Sequence, residues 1–145
     1  MIIREATLND LNSLAKLFDS YRTFYRKPSD VAAAKEFLQQ RMINKESIIF
    51  IAEENDAVAF AQLYPLFSST RMKRLWLLND LFVDPEFRRK GISKLLISRC
   101  FQLAKETNAC GVMLETERSN IIANQLYQKT GFQLVESNFY FHDPS

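Results

Sequence analysis

The chain is short of the residues on which much enzyme chemistry depends. It has one histidine, His142, in 145 residues. A histidine-based metal centre or a Ser-His-Asp hydrolase therefore has nothing to build on, and no metal is expected. His142 sits near the C-terminus and reads as a surface side chain. Two cysteines, Cys100 and Cys110, make neither a disulfide framework nor a zinc site. With no histidine nearby in sequence to activate them, both read as small core or boundary residues. An excess of one charge is missing too: 19 basic and 17 acidic side chains leave +2. That is too little to argue for nucleic acid by bulk electrostatics. No long apolar run is present and no charged-then-apolar leader, so neither a membrane span nor a secretory signal is expected. The expectation is a cytoplasmic protein.

What is present is ordinary for one globular domain over 1–145. Hydrophobic residues make up 47% and charged residues 25%. Met1 to Glu5 reads as a strand. Thr7 and Asp10 then resemble a capping box, ahead of the helical stripe Leu11, Leu14, Ala15, Phe18, Tyr21 and Tyr25, which Pro28 ends. A second helix is expected from Ser29-Asp30 to Met42, with Val31, Ala34, Leu38 and Met42 inward. Ser47–Glu54 and Ala57–Phe67 form a hairpin about Asn55-Asp56. Lys73–Val83 is a long strand, Gly91–Thr107 a helix, and Gly111–Glu117 a strand parallel to Lys73–Val83 through that crossover. Ser119–Thr130 is a helix capped by Gly131, and Phe132–His142 a last strand. The fold class is α/β with a mixed sheet, in the order β-α-α-β-β-β-α-β-α-β.

The most informative stretch is Asp80 to Leu96. Consecutive apolar residues Leu81, Phe82 and Val83 suit a strand buried on both faces, and Asp84-Pro85 stops it. Arg88-Arg89-Lys90-Gly91 then opens an amphipathic helix. Basic residues at a helix start oppose the macrodipole. A bound polyanion offsets that cost, and the free N–H groups of the first turn suit a phosphate. A solvated basic surface is the plain alternative. The glycine-lysine-serine spacing of a P-loop is absent.

Arg88-Arg89-Lys90-Gly91-Ile92-Ser93 resembles the Arg-x-x-Gly-x-Gly/Ala signature of the GNAT acyltransferases. Asn120-Ile121-Ile122-Ala123-Asn124-Gln125-Leu126-Tyr127-Gln128-Lys129-Thr130-Gly131-Phe132 is similar to the family's Asn-x-x-Ala-x-x-Leu-Tyr-x-x-x-Gly-Phe segment. The element order is also the family's, so the resemblance spans nearly the whole chain. Tyr64 to Val83 looks most like the histone, polyamine and diamine acetyltransferases. The chain departs from the pattern at Ser93, a small residue that leaves the turn intact.

The resemblance implies an N-acetyltransferase fold in which two central parallel strands splay apart, with acetyl-CoA (coenzyme A) as donor. Leu81, Phe82 and Val83 would line the pantetheine arm, with Leu81 and Val83 offering backbone groups. Arg88, Arg89, Lys90, Gly91, Ile92 and Ser93 would hold the pyrophosphate, and Asn120 and Tyr127 would also touch the cofactor. A phenol can supply the thiolate's proton at neutral pH, and Tyr127, at the family's tyrosine position, is the expected general acid, with a core tyrosine on the helix's inner face as the plain alternative. An N–H near Leu81 or Phe82 is the expected oxyanion donor.

Asn79-Asp80 interrupts an apolar run. Three accounts stand open: a tight turn, a bulge with both side chains solvated, or Asp80 in the acceptor cleft beside the reacting amine. Glu115 and Glu117 lie two apart on the next expected strand, so they would share a face, either solvated or bordering the cleft. In the second case Glu115 is a rival base. Tyr21, Tyr25 and Trp76 complete the acceptor set.

The expected acceptor is a small-molecule primary amine. A protein lysine or N-terminal amine is the alternative acceptor, and a non-catalytic acyl-CoA-binding module the alternative class. No nucleic acid or membrane partner is expected. Phe139, Tyr140 and Phe141 put aromatics on both faces of the last strand, which suggests a homodimer built there. Light scattering that finds only monomer at micromolar concentration would sink that idea.

Overall fold

The computed structural model describes residues 1–145. It divides into two compact units, Met1–Glu115 and Thr116–Ser145.

The first unit is a five-stranded sheet in the order β1-β2-β3-β4-β5. β1 is Ile2–Glu5, β2 Ile48–Glu54, β3 Asp56–Ser68, β4 Lys73–Val83 and β5 Val112–Met113. The first four pair antiparallel, and β4 and β5 pair in parallel. Helices α1 (Leu11–Phe24) and α2 (Val31–Ile43) come between β1 and β2, and α3 (Ile92–Glu106) between β4 and β5.

Periodicity explains which face each helix covers. Along β2, Ile49 and Ile51 point one way and Phe50 the other. Ile49 and Ile51 join Phe60, Phe82 and the α1–α2 residues Leu14, Phe18 and Leu38 in one buried cluster. On the opposite face Phe50 lies under α3, where the Arg99 guanidinium stacks 4.5 Å from its ring. α3 buries Ile92, Leu96, Ile97, Cys100 and Leu103. Burial pushes the Cys100 thiol up to about 12, which leaves it a core residue and a poor nucleophile.

Polar side chains fix the helix ends. The Thr7 N–H donates to Asp10 Oδ2 at 2.8 Å, and Arg4 donates to Asp10 and to Glu53, each at 2.7 Å. Hydrogen bonds from Arg4 hold the Asp10 carboxyl down at about 2. The buried Asp19 accepts from Ser29 Oγ and the Asp30 N–H, both at 2.7 Å, and the Ser29 bond leads in holding its carboxyl below the usual range. Asp30 in turn caps α2 through the Ala33 N–H at 3.0 Å, a contact worth about 1 kcal/mol. Asp19 therefore ties α1 to the start of α2. The second helix differs from expectation at Val31, which is exposed because it falls in the first turn, short of the sheet.

In the second unit α4 (Ile121–Thr130) starts at Asn120, whose Oδ1 accepts from the Ala123 N–H at 3.1 Å. It ends at Gly131, where φ is 113°, in the left-handed conformation expected of that glycine. The last strand expected over Phe132–His142 is not formed: residues 132–145 have no regular structure. The unit holds no second strand, and an unpaired strand leaves its N–H and C=O groups without partners. Phe139, Tyr140 and Phe141 are exposed as a result.

Candidate active site

β4 carries the site because it is paired differently along its two halves. β5 meets it only at Trp76 and Leu77, opposite Val112 and Met113. Beyond Leu77 that edge of β4 has no strand neighbour. The Asp84 N–H donates to Val58 O on the β3 side at 2.9 Å. Alternation then turns the N–H and C=O groups of Leu81 and Val83 toward the unpaired edge. Arg88 reaches back and donates from Nε to Val83 O at 3.0 Å, its guanidinium 5.5 Å from the Phe82 ring. One edge carbonyl is thereby occupied, while the Leu81 groups face outward.

The edge runs into the basic turn. A 3₁₀ turn at Pro85–Phe87 is capped by Asp84, which accepts from the Glu86 N–H at 2.9 Å. Arg89 and Gly91 both have positive φ, 65° and 76°. Glycine takes this conformation freely, whereas an arginine in it carries strain. Gly91 is the N-cap of α3 and offers no side chain to the first-turn N–H groups. The first turn holds no acidic residue. Arg88, Arg89 and Lys90 are exposed, and none is in a salt bridge. Uncapped N–H groups, the positive end of a four-turn helix and three cations without an acidic partner fit a pyrophosphate.

At the other end of the unpaired edge lies Asp80. Leu63 pairs with Leu78 and Gln62 with Asp80, so Asn79 is an extra residue in β4. This β-bulge reverses the alternation. It puts Asp80 beside Gln62 on the α1 face and leaves Leu78 beside Leu63 on the α3 face. Asn79 is exposed, but Asp80 is only 3% exposed. Asp80 Oδ2 accepts from Gln62 Nε2 at 2.7 Å and Oδ1 from Asn79 Nδ2 at 3.0 Å. The Tyr21 hydroxyl donates to Asn79 O at 3.3 Å and also lies in hydrogen-bond contact with the Asp80 carboxylate. No cation pairs with it. Burial pushes its carboxyl up, and the bonds from Gln62, Tyr21 and Asn79 only partly oppose that. Tyr64, two residues along β3 from Gln62, has its phenol pushed up to about 12, chiefly by burial and then by Asp80.

Tyr21 sits among Tyr25, Phe60 and Phe82, with ring centroids 5.1, 5.8 and 6.0 Å away. Asp80, Tyr21, Tyr25 and the Leu81–Val83 edge are therefore drawn together. Two other expectations need correcting. Trp76 lies before the bulge and faces α3, where its indole N–H donates to Thr107 Oγ1 at 2.9 Å. It does not share the Asp80 face. Glu115 is exposed and lies past the end of β5, so it and Glu117 are not alternating positions of a strand. β5 ends at Met113, and its pairing with β4 stops at Leu77. Asn120 caps α4, and Tyr127 is half-buried on that helix, its ring edge-on to Phe132 at 5.7 Å.

Sequence reading missed Gln62, Ser47 and Tyr64. The signal was one fully polar side chain within the apolar run Ala57–Phe67. Ser47 also lies on the wall of a 590 Å³ cavity, with Glu5, Met42, Pro65 and Trp76. That cavity contains neither a buried carboxylate nor the unpaired β4 edge, so volume alone does not mark the reacting centre.

Residues 14–132 match the model of the Acetyltransferase (GNAT) family. An uncharacterized N-acetyltransferase, YhfO, of Bacillus subtilis is 46% identical over 134 residues, covering 92% of this chain and 90% of that one. The crystal structure of a probable acetyltransferase superposes with a TM-score of 0.92 at 38% identity, covering 100% of this chain and 98% of the other. An aminoglycoside N-acetyltransferase solved in complex with CoA shares the fold, with a TM-score of 0.84 at 20% identity, over 99% of this chain and 95% of that one. With the match to the family model covering most of its length and a relative 46% identical over 92% of it, this chain belongs to the GNAT family of acetyltransferases.

Proposed function

We propose that the protein transfers acetyl from acetyl-CoA to a primary amine of a small molecule by direct attack. One observation carries the reading: an unpaired strand edge leads from a buried, cation-free carboxylate, Asp80, to an uncapped basic helix start. The edge suits the amide-rich pantetheine arm, through the Leu81 groups and the Val83 N–H. Arg88 to Ser93 suit the pyrophosphate. Asp80, among Tyr21, Tyr25 and Phe82, suits an ammonium that must lose a proton before it attacks. In the reaction the amine nitrogen bonds to the thioester carbon and the C–S bond breaks. The ammonium's first proton leaves through Asp80 to solvent before attack and the nitrogen's second follows the same route after it, while the thiolate takes a proton from the Tyr127 hydroxyl, which solvent then restores. Backbone N–H groups at Leu81 or Phe82 are the oxyanion donors in this reading. The exposed Phe139, Tyr140 and Phe141 support a homodimer.

The reading is tested by incubating the protein with acetyl-CoA and a panel of amines while free thiol is followed. Spermidine, lysine, an aminoglycoside and a lysine-containing peptide make up the panel. Thiol release with the first three supports it. Release with the peptide alone moves the acceptor to protein, and no release with any leaves a binding module. A second check is Arg88→Ala. Removing a charge-assisted phosphate contact and the peg on Val83 O should raise KM for acetyl-CoA roughly tenfold, about 1.4 kcal/mol. The far-ultraviolet circular dichroism spectrum should not change. An unaltered KM would remove Arg88 from the cofactor site.

A further inference from the structure

Gln62 is fully buried in the middle of β3. A buried amide needs partners at both ends, or it costs a few kcal/mol. Its Oε1 accepts from Ser47 Oγ at 2.8 Å, and its Nε2 donates to Asp80 Oδ2 at 2.7 Å. The direction of both bonds follows from chemistry. An ionised carboxylate only accepts, so the amide must turn its NH₂ to Asp80. Oε1 then faces Ser47, whose hydroxyl has to donate. The three groups come from the start of β2, from β3 and from β4, and they meet only because the bulge at Asn79 turns Asp80 onto the Gln62 face.

Burial acts against the charged form of Asp80, and among the groups that favour it the Ser47–Gln62 relay leads. From α1 comes Tyr21, from β3 Tyr64 and from β4 Asn79. Arg41 of α2 and Glu46 after it act on Tyr64, with opposite signs. No cation reaches the carboxylate itself. Asn79 is solvent-exposed, and the Tyr21 hydroxyl is shared with a backbone carbonyl. Gln62 is the one donor to Asp80 that is both fully buried and held from behind.

We propose that Gln62, oriented by Ser47, is a positioning residue that aims the Asp80 carboxylate and holds it in its proton-accepting form. This rests on the reading that Asp80 serves the acceptor amine. The donor acts on the charged form of Asp80, so its loss favours the protonated form. Ser47→Ala acts one bond further out and leaves Gln62 free to rotate, so its effect should have the same sign and be smaller.

The experiment is a carboxyl-carbon NMR titration of Asp80 in ¹³C-labelled protein, for wild type, Gln62→Met and Ser47→Ala. Asp80→Asn is used to assign the resonance. The titration midpoint of Asp80 should move upward in Gln62→Met, and by less in Ser47→Ala. A residue that merely fills space would leave both midpoints where they are. Should Gln62→Met fail to fold, Ser47→Ala carries the test alone, since Ser47 is only half-buried. A midpoint unmoved in every folded variant overturns the proposal, whatever the turnover. Full turnover in Asp80→Asn would instead overturn the catalytic reading of Asp80, and a shifted midpoint would still leave Gln62 as its control.

Discussion

Tyr127→Phe should lower turnover by roughly 10²–10⁴-fold, the range over which a positioned proton donor accelerates a reaction. The substitution removes one hydroxyl and keeps the ring. The ring's edge-on contact with Phe132 survives, and so do the bonds around it: the Phe132 N–H donating to Tyr127 O at 3.0 Å, and Thr130 Oγ1 to the same carbonyl at 3.1 Å. Helix α4 and its glycine cap should therefore be unaltered. The loss should appear in kcat, with the Kd for acetyl-CoA kept within about twofold, because a donor to the departing thiolate acts in the transition state only. Stopped-flow thiol release and calorimetric cofactor binding separate the two quantities. Unchanged turnover would refute the general-acid role.

Asp80→Asn should act oppositely on activity and on stability. The side chain keeps its size, and its oxygen can still accept from Gln62. It can no longer take a proton from the amine, so turnover at neutral pH should fall by about 10²-fold or more. Stability should rise. Burial raises the carboxyl's pKa in the folded chain, so between the unfolded and folded values the native state binds more protons than the unfolded one. The slope of unfolding free energy with pH is then negative. The penalty from Asp80 is absent below the unfolded pKa, grows as pH rises, and is complete above the folded value. Removing the charge removes the penalty. The gain expected of relieving a functional strain is about 0.5–2 kcal/mol, or roughly 2–6 °C in Tm for a chain of this length. Thermal melts at pH 8 should show it, and the gap between variant and wild type should close on acidification. A lower Tm at pH 8 would mean that the ionised carboxylate stabilises the fold, contrary to its burial.

The local features of this protein were legible residue by residue. Thr7 and Asp10 do form a capping box, Asp30 caps its helix, and Gly131 takes the left-handed conformation. β4 runs from Lys73 to Val83 as the apolar pattern indicates. The expected strand at Gly111–Glu117 shrinks to Val112–Met113, and the one at Phe132–His142 does not form. Both have strand-like composition. A strand exists only where another offers its hydrogen bonds, and composition does not report the partner. Trp76 illustrates the same limit. Four residues from Asp80, on an unbroken strand it would share that residue's face; the bulge at Asn79 puts the two on opposite faces.

By itself the sequence determined the family, the order of elements as far as α4, and the basic turn that opens α3. The family resemblance is carried by two contiguous motifs, Arg88–Ser93 and Asn120–Phe132, and the elements by two periodicities, a proline stop and a glycine at a helix start. The tertiary structure alone decided what surrounds Asp80. Gln62 is 18 residues away along the chain and Ser47 a further 15. Their meeting depends on the register of β2 with β3 and of β3 with β4, including the bulge at Asn79. The three possible accounts of Asn79-Asp80 become a bulge with one side chain in water and the other buried, because Asn79 is the extra residue that drops out of the pairing while Asp80 turns onto the Gln62 face.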